Sequence, residues 1–172
     1  MRGADVSNGG MTRVPHSLAS LFNSLMQIRI LAIGKPKLAF AKSGIEEYAG
    51  RLRPWVGLQM DYLRAGTRES ESALLLERSH GTLRVVLDER GEQLSSRALS
   101  GKISAWEQTG SIKGISVIIG GADGHTEALR ESAGWLWSLS KLTLQHEMAL
   151  LLVLEQLYRA YSIKAGTPYH RD

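Results

Sequence analysis

From residue 26 onward, the apolar positions of the chain alternate between two spacings. Runs that are apolar at nearly every or every second position predict strands, and apolar residues three or four positions apart predict helices. The five predicted strands are QIRILAI, VGLQMDYL, LRVVLD, ISVIIGG and WLWSLS. The five predicted helices occupy residues 38–52, 69–79, 95–108, 126–134 and 146–166. This alternation predicts an α/β fold, a single three-layer domain in which helices cover both faces of a mostly parallel sheet.

Local signals indicate where several of these elements end. A serine opens the helix at 95–108 as its cap, Thr126 is placed to cap the next helix, and Gly166 ends the last one. The residues ERGE at 89–92 are predicted to form a turn after the third strand. Three loops then follow the carboxyl ends of the third, fourth and fifth strands, where ligands bind in sheets of this kind.

The loop IIGGADGH is the clearest candidate for a ligand site. Gly120 and Gly121 lack β-carbons at the point where the strand ends, so a ligand can approach the backbone closely. The spacing matches neither G-x-G-x-x-G nor a phosphate loop, which disfavours a dinucleotide or a triphosphate. The alternative interpretation is a simple tight turn.

The loop SLSKLTLQH lies between the fifth strand and the last helix, and Leu139, Leu142 and Leu144 alternate there with polar residues. Long irregular connections in compact domains tend to be functional. Apolar side chains beside free backbone donors and acceptors suit a flat, uncharged heterocycle such as adenine. The alternative is that the fifth strand simply continues.

The last helix is apolar nearly all round from Met148 to Leu154. Such a helix is buried on more than one side, and in a domain of this size one side is expected to meet a partner subunit. The same run is the longest unbroken apolar stretch of the chain and is far shorter than the about 20 residues of a transmembrane helix. We therefore expect no membrane span.

Residues 1–25 differ from the rest of the chain. They are rich in Gly, Ser and Asn and lack the apolar core of a secretory signal. We expect this leader to be disordered and to lie outside the folded domain, which covers residues 26–172. Because Met26 directly precedes the first strand, our hypothesis is that translation begins there.

Charge is concentrated in one part of the chain. The stretch from Arg29 to Arg68 carries eight basic residues against three acidic ones, whereas the whole chain has a formal net charge of +4. A basic stretch favours a polyanion such as nucleic acid as partner, and a solvated basic surface without a partner is the alternative. The chain has no cysteine, which excludes thiolate chemistry and fits a cytoplasmic protein.

Five histidines are spread along the chain without a metal-ligand spacing, so we expect no metal site. His125, beside the glycine turn, and His146, at the start of the last helix, are the two placed nearest the expected ligand. A structural role is the alternative for both.

The segments IIGGADGH, WSLSKLTLQH and EQLYRAYSIKAGTPYHRD strongly resemble the bacterial 23S ribosomal RNA pseudouridine-N3 methyltransferases, the RlmH family. The resemblance covers residues 26–172 and extends to QIRILAIGK and LDERGEQLSS. It implies a SPOUT fold with a trefoil knot at the carboxyl side of the sheet, a homodimer, and S-adenosylmethionine as cofactor. It also implies methylation of N3 of a pseudouridine in 23S ribosomal RNA, within assembled ribosomes or large subunits.

The resemblance also assigns roles to residues. Those implied to contact the cofactor are Leu87, Gly120, Leu139, Ser140, Lys141, Leu142, Thr143 and Leu144. The tail, residues 167–172 (TPYHRD), of one subunit is expected to act in the site of the other. There Tyr169 would stack on a base, His170 would take a proton, and Arg171 would hold a phosphate or the ring anion.

Two positions depart from the pattern of that family. Gln145 stands where proline is common, and Leu150 stands where arginine is common. Leu150 motivates an alternative, a non-catalytic or weakened ribosome-binding homologue of the same fold. An unrelated nucleotide-binding α/β domain is a third interpretation, which the lack of a phosphate loop weakens.

Overall fold

The computed structural model describes residues 26–171, in which five parallel strands form one sheet. The strands are β1 (Gln27–Ile33), β2 (Gly57–Leu63), β3 (Leu83–Glu92), β4 (Gly114–Ile119) and β5 (Trp135–Trp137). They lie in the order β2-β1-β4-β3-β5, and each neighbouring pair is parallel. All six residues of β4 are buried, as expected for the central strand of a sheet covered on both faces. The predicted parallel sheet is confirmed.

Five helices connect or follow the strands in the described residues. They are α1 (Ala39–Leu52), α2 (Arg68–Arg78), α3 (Ser96–Gln108), α4 (Glu127–Glu131) and α5 (His146–Lys164). The side chain of Ser95 accepts a hydrogen bond from the backbone N–H of Ala98, and that of Thr126 accepts one from Leu129. Both predicted caps are therefore confirmed, although α4 is shorter than the predicted helix at 126–134.

The helices pack on the sheet in two separate apolar cores. Helices α1, α3 and α5 cover one face, where Ala41, Ile103 and Leu154 pack with alternate residues of β1 and β4. Helices α2 and α4 cover the other face, where Leu75 and Leu129 are fully buried against the remaining strand residues. The predicted three-layer arrangement is confirmed, because each strand places successive side chains into opposite cores.

The turn predicted at 89–92 is wrong, because β3 continues to Glu92. Leu87 and Glu92 both pair with Trp137, so the strand is irregular between them. Gly91 permits this course: a β-carbon there would lie 2.7 Å from the backbone carbonyl carbon and oxygen of Leu136. The fifth strand is shorter than predicted, and residues 138–140 belong to the loop that follows it.

The predicted leader at residues 1–25 lies outside the described residues. The trefoil knot stays a prediction, since strand order and pairing do not specify how the chain threads. Within residues 26–171, no helix is long and apolar enough to cross a membrane.

Candidate methyltransferase site

A cleft of about 590 Å³ opens at the carboxyl ends of β3, β4 and β5, beside the start of α5. Its walls are the three segments that the sequence singled out, of which the first belongs to β3 and the other two are the loops after β4 and β5. The predicted cofactor residues that line it are Leu87, Gly120, Leu139, Ser140, Leu142, Thr143 and Leu144. Lys141 is exposed and does not line the cleft. The structure therefore brings the three loops together into one cavity, as the position of the strand ends predicts.

The two glycines after β4 leave room for buried side chains behind the loop. A β-carbon on Gly120 would lie 2.7 Å from Cε1 of His125, and one on Gly121 would lie 2.6 Å from Oε2 of Glu71. Glu71 is itself buried and accepts a hydrogen bond from the backbone N–H of Gly66 at 2.9 Å. The glycines therefore have a packing role in addition to keeping the cleft wall free of side chains.

His125 is a buried, neutral histidine in the cleft wall. Its Nε2 lies 3.1 Å from the carbonyl oxygen of Leu87, which only accepts, so Nε2 carries the proton. Burial lowers the pKa of His125, and the bond to Leu87 opposes this only partly. Among the described residues, Nδ1 of His125 has no hydrogen-bond partner. The ring thus joins the ends of β3 and β4 and retains a buried lone pair.

An ion pair that the sequence did not reveal lies on the same side of the cleft. Nε of Arg130 donates to Oδ2 of Asp88 at 2.6 Å, and the backbone N–H of Arg90 donates to Oδ1 at 3.0 Å. Burial alone would raise the pKa of Asp88, but the bonds from Arg130 and Arg90 outweigh it and hold that pKa below its ordinary value. Asp88 is therefore ionised at neutral pH and fixes this part of β3 against α4.

The loop after β5 is folded by its own hydrogen bonds. The hydroxyl of Ser138 donates to the carbonyl oxygen of Ser140 at 2.9 Å, and the hydroxyl of Ser140 accepts from the backbone N–H of Leu142 at 3.0 Å. Leu142 lines the cleft and is 74% exposed. The loop is thus not a continuation of the strand, and it presents an uncovered apolar side chain to the cavity.

The start of α5 lines the cleft and is hydrogen-bonded to the loop after β1. The side chain of Gln145 caps the helix by accepting from the backbone N–H groups of Glu147 and Met148. The buried carboxylate of Glu147 accepts from the backbone N–H groups of Lys37 and Leu38 at 2.9 and 2.8 Å. Burial would raise the pKa of Glu147, but these hydrogen bonds lower it overall. The loop after β1 is thereby fixed beside the cleft.

A family model described as a predicted SPOUT methyltransferase matches residues 26–170. This chain belongs to the SPOUT methyltransferase family. Two curated relatives named ribosomal RNA large subunit methyltransferase H align with this chain over 146 residues. The alignment covers 85% of this chain and 99% of each relative. The relative from Thermus thermophilus is 46% identical, and the one from Deinococcus radiodurans is 44% identical. The resemblance inferred from the sequence is confirmed.

A solved structure of a probable methylase family protein from Haemophilus influenzae Rd KW20 has a similar fold. The TM-score is 0.56, the sequence identity is 16%, and the match covers 86% of this chain and 71% of that one. At this identity the likeness concerns the fold alone.

In this SPOUT chain, the tail does not line the chain's own cleft. Tyr169 lies beside Tyr48, Glu155 and Tyr158, and His170 approaches Arg159. Arg159 is 13 residues beyond His146 in α5, which is about 20 Å along a helix axis. The structure therefore separates the predicted catalytic residues from the predicted cofactor residues within one subunit.

The two departures from the family pattern have different surroundings. Gln145 replaces proline with a side chain that caps α5, and its φ of −62° is one that proline also adopts. Leu150 is buried in the core against the sheet and does not line the cleft. Of these two positions in the SPOUT chain, Gln145 lines the cleft and Leu150 does not.

The cleft also contains functional candidates that sequence reasoning missed. Asp88 and Arg130 line it and pair with each other, whereas Glu147 does not line it but binds the backbone of Lys37 beside it. No spacing along the chain signals these partners. Within the described residues, no group of three or more His, Asp or Glu side chains converges as a metal site.

Proposed function

We propose that this chain transfers a methyl group from S-adenosylmethionine to N3 of a pseudouridine in the 23S ribosomal RNA of the large subunit. The observation that carries the proposal is the single cleft formed by three loops at the strand ends of a SPOUT methyltransferase. Support for the substrate comes from the relatives, which are named for methylation of large-subunit ribosomal RNA. The chain spans 99% of their length, so the proposal concerns the whole catalytic unit.

The residues of the cleft fit S-adenosylmethionine. Leu87, Leu139 and Leu144 give apolar walls for an adenine ring, and Gly120 keeps the backbone open to it. A volume of about 590 Å³ lies within the range of cofactor pockets, which is about 300–1,000 Å³.

Bound S-adenosylmethionine supplies an electrophilic methyl group on a sulfonium, whose carbon–sulfur bond breaks as the bond to N3 forms. N3 of pseudouridine is an imide nitrogen, so its proton has to leave for the nitrogen to attack. His170 takes that proton, and Arg171 stabilises the negative charge that develops on the ring. The loops of the cleft hold the two reactants in line.

A homodimer is part of this proposal. Within one subunit the tail lies about 20 Å along α5 from the cleft, so Tyr169, His170 and Arg171 act in the cleft of the partner subunit. The half-exposed apolar side chains Met148 and Leu152 on α5 give a surface for the contact between subunits. Such a dimer completes a site that one chain leaves incomplete.

The RNA approaches over exposed basic residues near the cleft. Lys35 and Lys37 are exposed in the loop that Glu147 ties to the start of α5, and Lys42 follows on α1. Arg90 is also exposed at the cleft. Basic side chains of this kind neutralise phosphates without reading sequence, so recognition rests on the folded surface of a large subunit or ribosome. The reaction takes place in the cytoplasm, where those particles are.

The test is transfer of labelled methyl from S-adenosylmethionine to ribosomes from a strain that lacks the corresponding methyltransferase. We expect labelled N3-methylpseudouridine in the 23S RNA of large subunits. Absence of this nucleoside at saturating protein, with cofactor binding intact by calorimetry, would support the non-catalytic ribosome-binding alternative instead. Binding of a nucleoside phosphate in place of S-adenosylmethionine would contradict the proposal as a whole.

A further inference from the structure

The side chain of Tyr169 is in contact with four other side chains, on α1 and α5. Its hydroxyl lies 3.1 Å from the hydroxyl of Tyr48 and 3.1 Å from Oε1 of Glu155. The guanidinium of Arg159 lies over its ring, 4.7 Å from the centroid, and the ring of Tyr158 meets it edge-on at 4.7 Å. Both the polar and the aromatic parts of the side chain are therefore already in contact with α1 and α5.

The hydrogen bonds around Tyr169 have one consistent direction. The carboxylate of Glu155 only accepts, so the hydroxyl of Tyr169 donates to it, and the hydroxyl of Tyr48 then donates to Tyr169. Arg159 donates to the same oxygen of Glu155 through Nε at 2.9 Å. Tyr48, Tyr169, Glu155 and Arg159 therefore form one connected polar network, in which the direction of each of these hydrogen bonds is defined.

We infer that Tyr169 is the anchor of the tail, a positioning residue that Tyr48, Glu155 and Arg159 hold, and that His170 and Arg171 alone act on the substrate. This inference rests on the proposed function and changes one part of it: Tyr169 does not stack on a base.

The contacts of the next two residues differ from those of Tyr169. Nδ1 of His170 lies 3.4 Å from Nη1 of Arg159, a longer contact than those of the Tyr169 hydroxyl, and Arg171 is exposed. A chain advances at most about 3.6 Å per residue, so a fixed Tyr169 confines the α-carbons of His170 and Arg171 to within about 7 Å. The anchor therefore determines how far the two reactive side chains reach.

The acidity of Tyr169 agrees with an anchoring role. Burial, followed by the hydrogen bond with Tyr48 and the charge of Glu155, raises its pKa above the ordinary value. The phenol is therefore neutral at physiological pH and does not serve as the base that removes the N3 proton.

The experiment compares Tyr48→Phe, Tyr169→Phe and the double variant in the full-length chain. We expect each single change to lower kcat at least about tenfold, with the affinity for S-adenosylmethionine unchanged, because Tyr48→Phe loses one hydrogen bond of the network and Tyr169→Phe loses two. The double variant should be no slower than Tyr169→Phe alone, since both changes remove the same interaction. Tyr62→Phe, on half-buried Tyr62 of β2, is the matched control and should keep wild-type turnover.

A second measurement follows the tail without using activity. Carboxypeptidase Y should release His170 several-fold faster from Tyr48→Phe and Tyr169→Phe than from the wild-type chain or Tyr62→Phe. If the wild-type chain methylates no ribosomes but the release rates differ in this way, the anchoring role of Tyr169 is supported and the proposed function is contradicted.

Three results would overturn the anchor while leaving the proposed function intact. The first is Tyr48→Phe with wild-type turnover beside an inactive Tyr169→Phe, which indicates chemistry at the Tyr169 hydroxyl. The second is full turnover in both variants together with an inactive Tyr169→Ala, which indicates stacking on a base. The third is an unchanged rate of release by carboxypeptidase Y.

Discussion

The cleft and the tail are held in place by different kinds of contact. The cleft is built from the ends of three strands, and its shape depends on backbone course and on glycines such as Gly120 and Gly121. The tail has no strand or helix of its own, and the side chains around Tyr169 hold it. The position of the cleft therefore follows from the sheet, whereas the position of the tail depends on a few side chains. Removing the tail should therefore leave the cleft functional, and damage to the cleft should leave the tail in place.

The largest effect is expected from deleting residues 168–172. The variant should keep dimerisation and affinity for S-adenosylmethionine, because α5 and the segments that line the cleft are left intact. Methyl transfer to ribosomes should fall on the order of 10²–10⁴-fold, the range for loss of general acid–base catalysis. Single-turnover transfer and calorimetry measure the two quantities. Wild-type turnover in the truncated protein would contradict a role of the tail in methyl transfer.

Changing Gly120 to alanine tests the other region. The added β-carbon meets the ring of His125 at 2.7 Å, so the ring or the loop has to shift. Overpacking of this kind costs about 1–3 kcal/mol, and we expect the Kd for S-adenosylmethionine to rise about tenfold. Gly101→Ala on α3 is the control, because a β-carbon there meets nothing within 4 Å. The release of His170 by carboxypeptidase Y should be unchanged in both, and a faster release from Gly120→Ala would show that the two regions are coupled.

Asp88→Asn measures how far the ion pair with Arg130 supports the cleft. We expect the free energy of unfolding at pH 7 to fall by about 1–3 kcal/mol, since a charged hydrogen bond is lost. Asp88 has a lowered pKa in the folded chain, so its contribution is present above the unfolded pKa of about 4 and is lost as the pH falls through the folded pKa. Denaturant titrations should therefore show a difference from wild type that shrinks below about pH 4. A difference that does not change with pH would contradict this account.

The smallest effect concerns Gln145. Gln145→Ala removes the cap of α5 and should destabilise the protein by about 1 kcal/mol. Gln145→Pro restores the residue common in the family and suits the φ of −62°, so we expect it to be the more stable of the two variants. Thermal unfolding of both against wild type gives the order. A proline variant less stable than the alanine variant would show that the backbone N–H of this residue is needed.

The sequence predicted the sheet, its two covered faces and the helix caps because these follow from local spacing. Ser95 and Thr126 cap helices through backbone groups three residues away, and Leu75 and Leu129 are buried where the helical period places them. The three cleft loops were also predictable, since the ends of parallel strands lie at one edge of a sheet.

Other features could not be predicted from spacing along the chain. Glu147 meets Lys37 across 110 positions, and Tyr48 meets Tyr169 across 121. The turn expected at 89–92 was wrong because Gly91 passes close to the backbone of β5, a contact that depends on tertiary structure. The roles given to Tyr169, His170 and Arg171 stay predictions, because within one subunit these residues do not line the cleft.

The central position of β4 has a consequence for how the chain folds during synthesis. β1 pairs with β2 at once, but its other neighbour, β4, begins 87 positions after β1, at the pairing of Gln27 with Gly114. Until β4 has left the ribosome, one edge of β1 therefore has no strand to pair with, and β3 has no connection to the rest of the sheet. Contacts of such long range slow folding and leave apolar strand edges open in the meantime. A nascent chain stalled before residue 114 should accordingly bind chaperones that a chain stalled after α5 no longer needs.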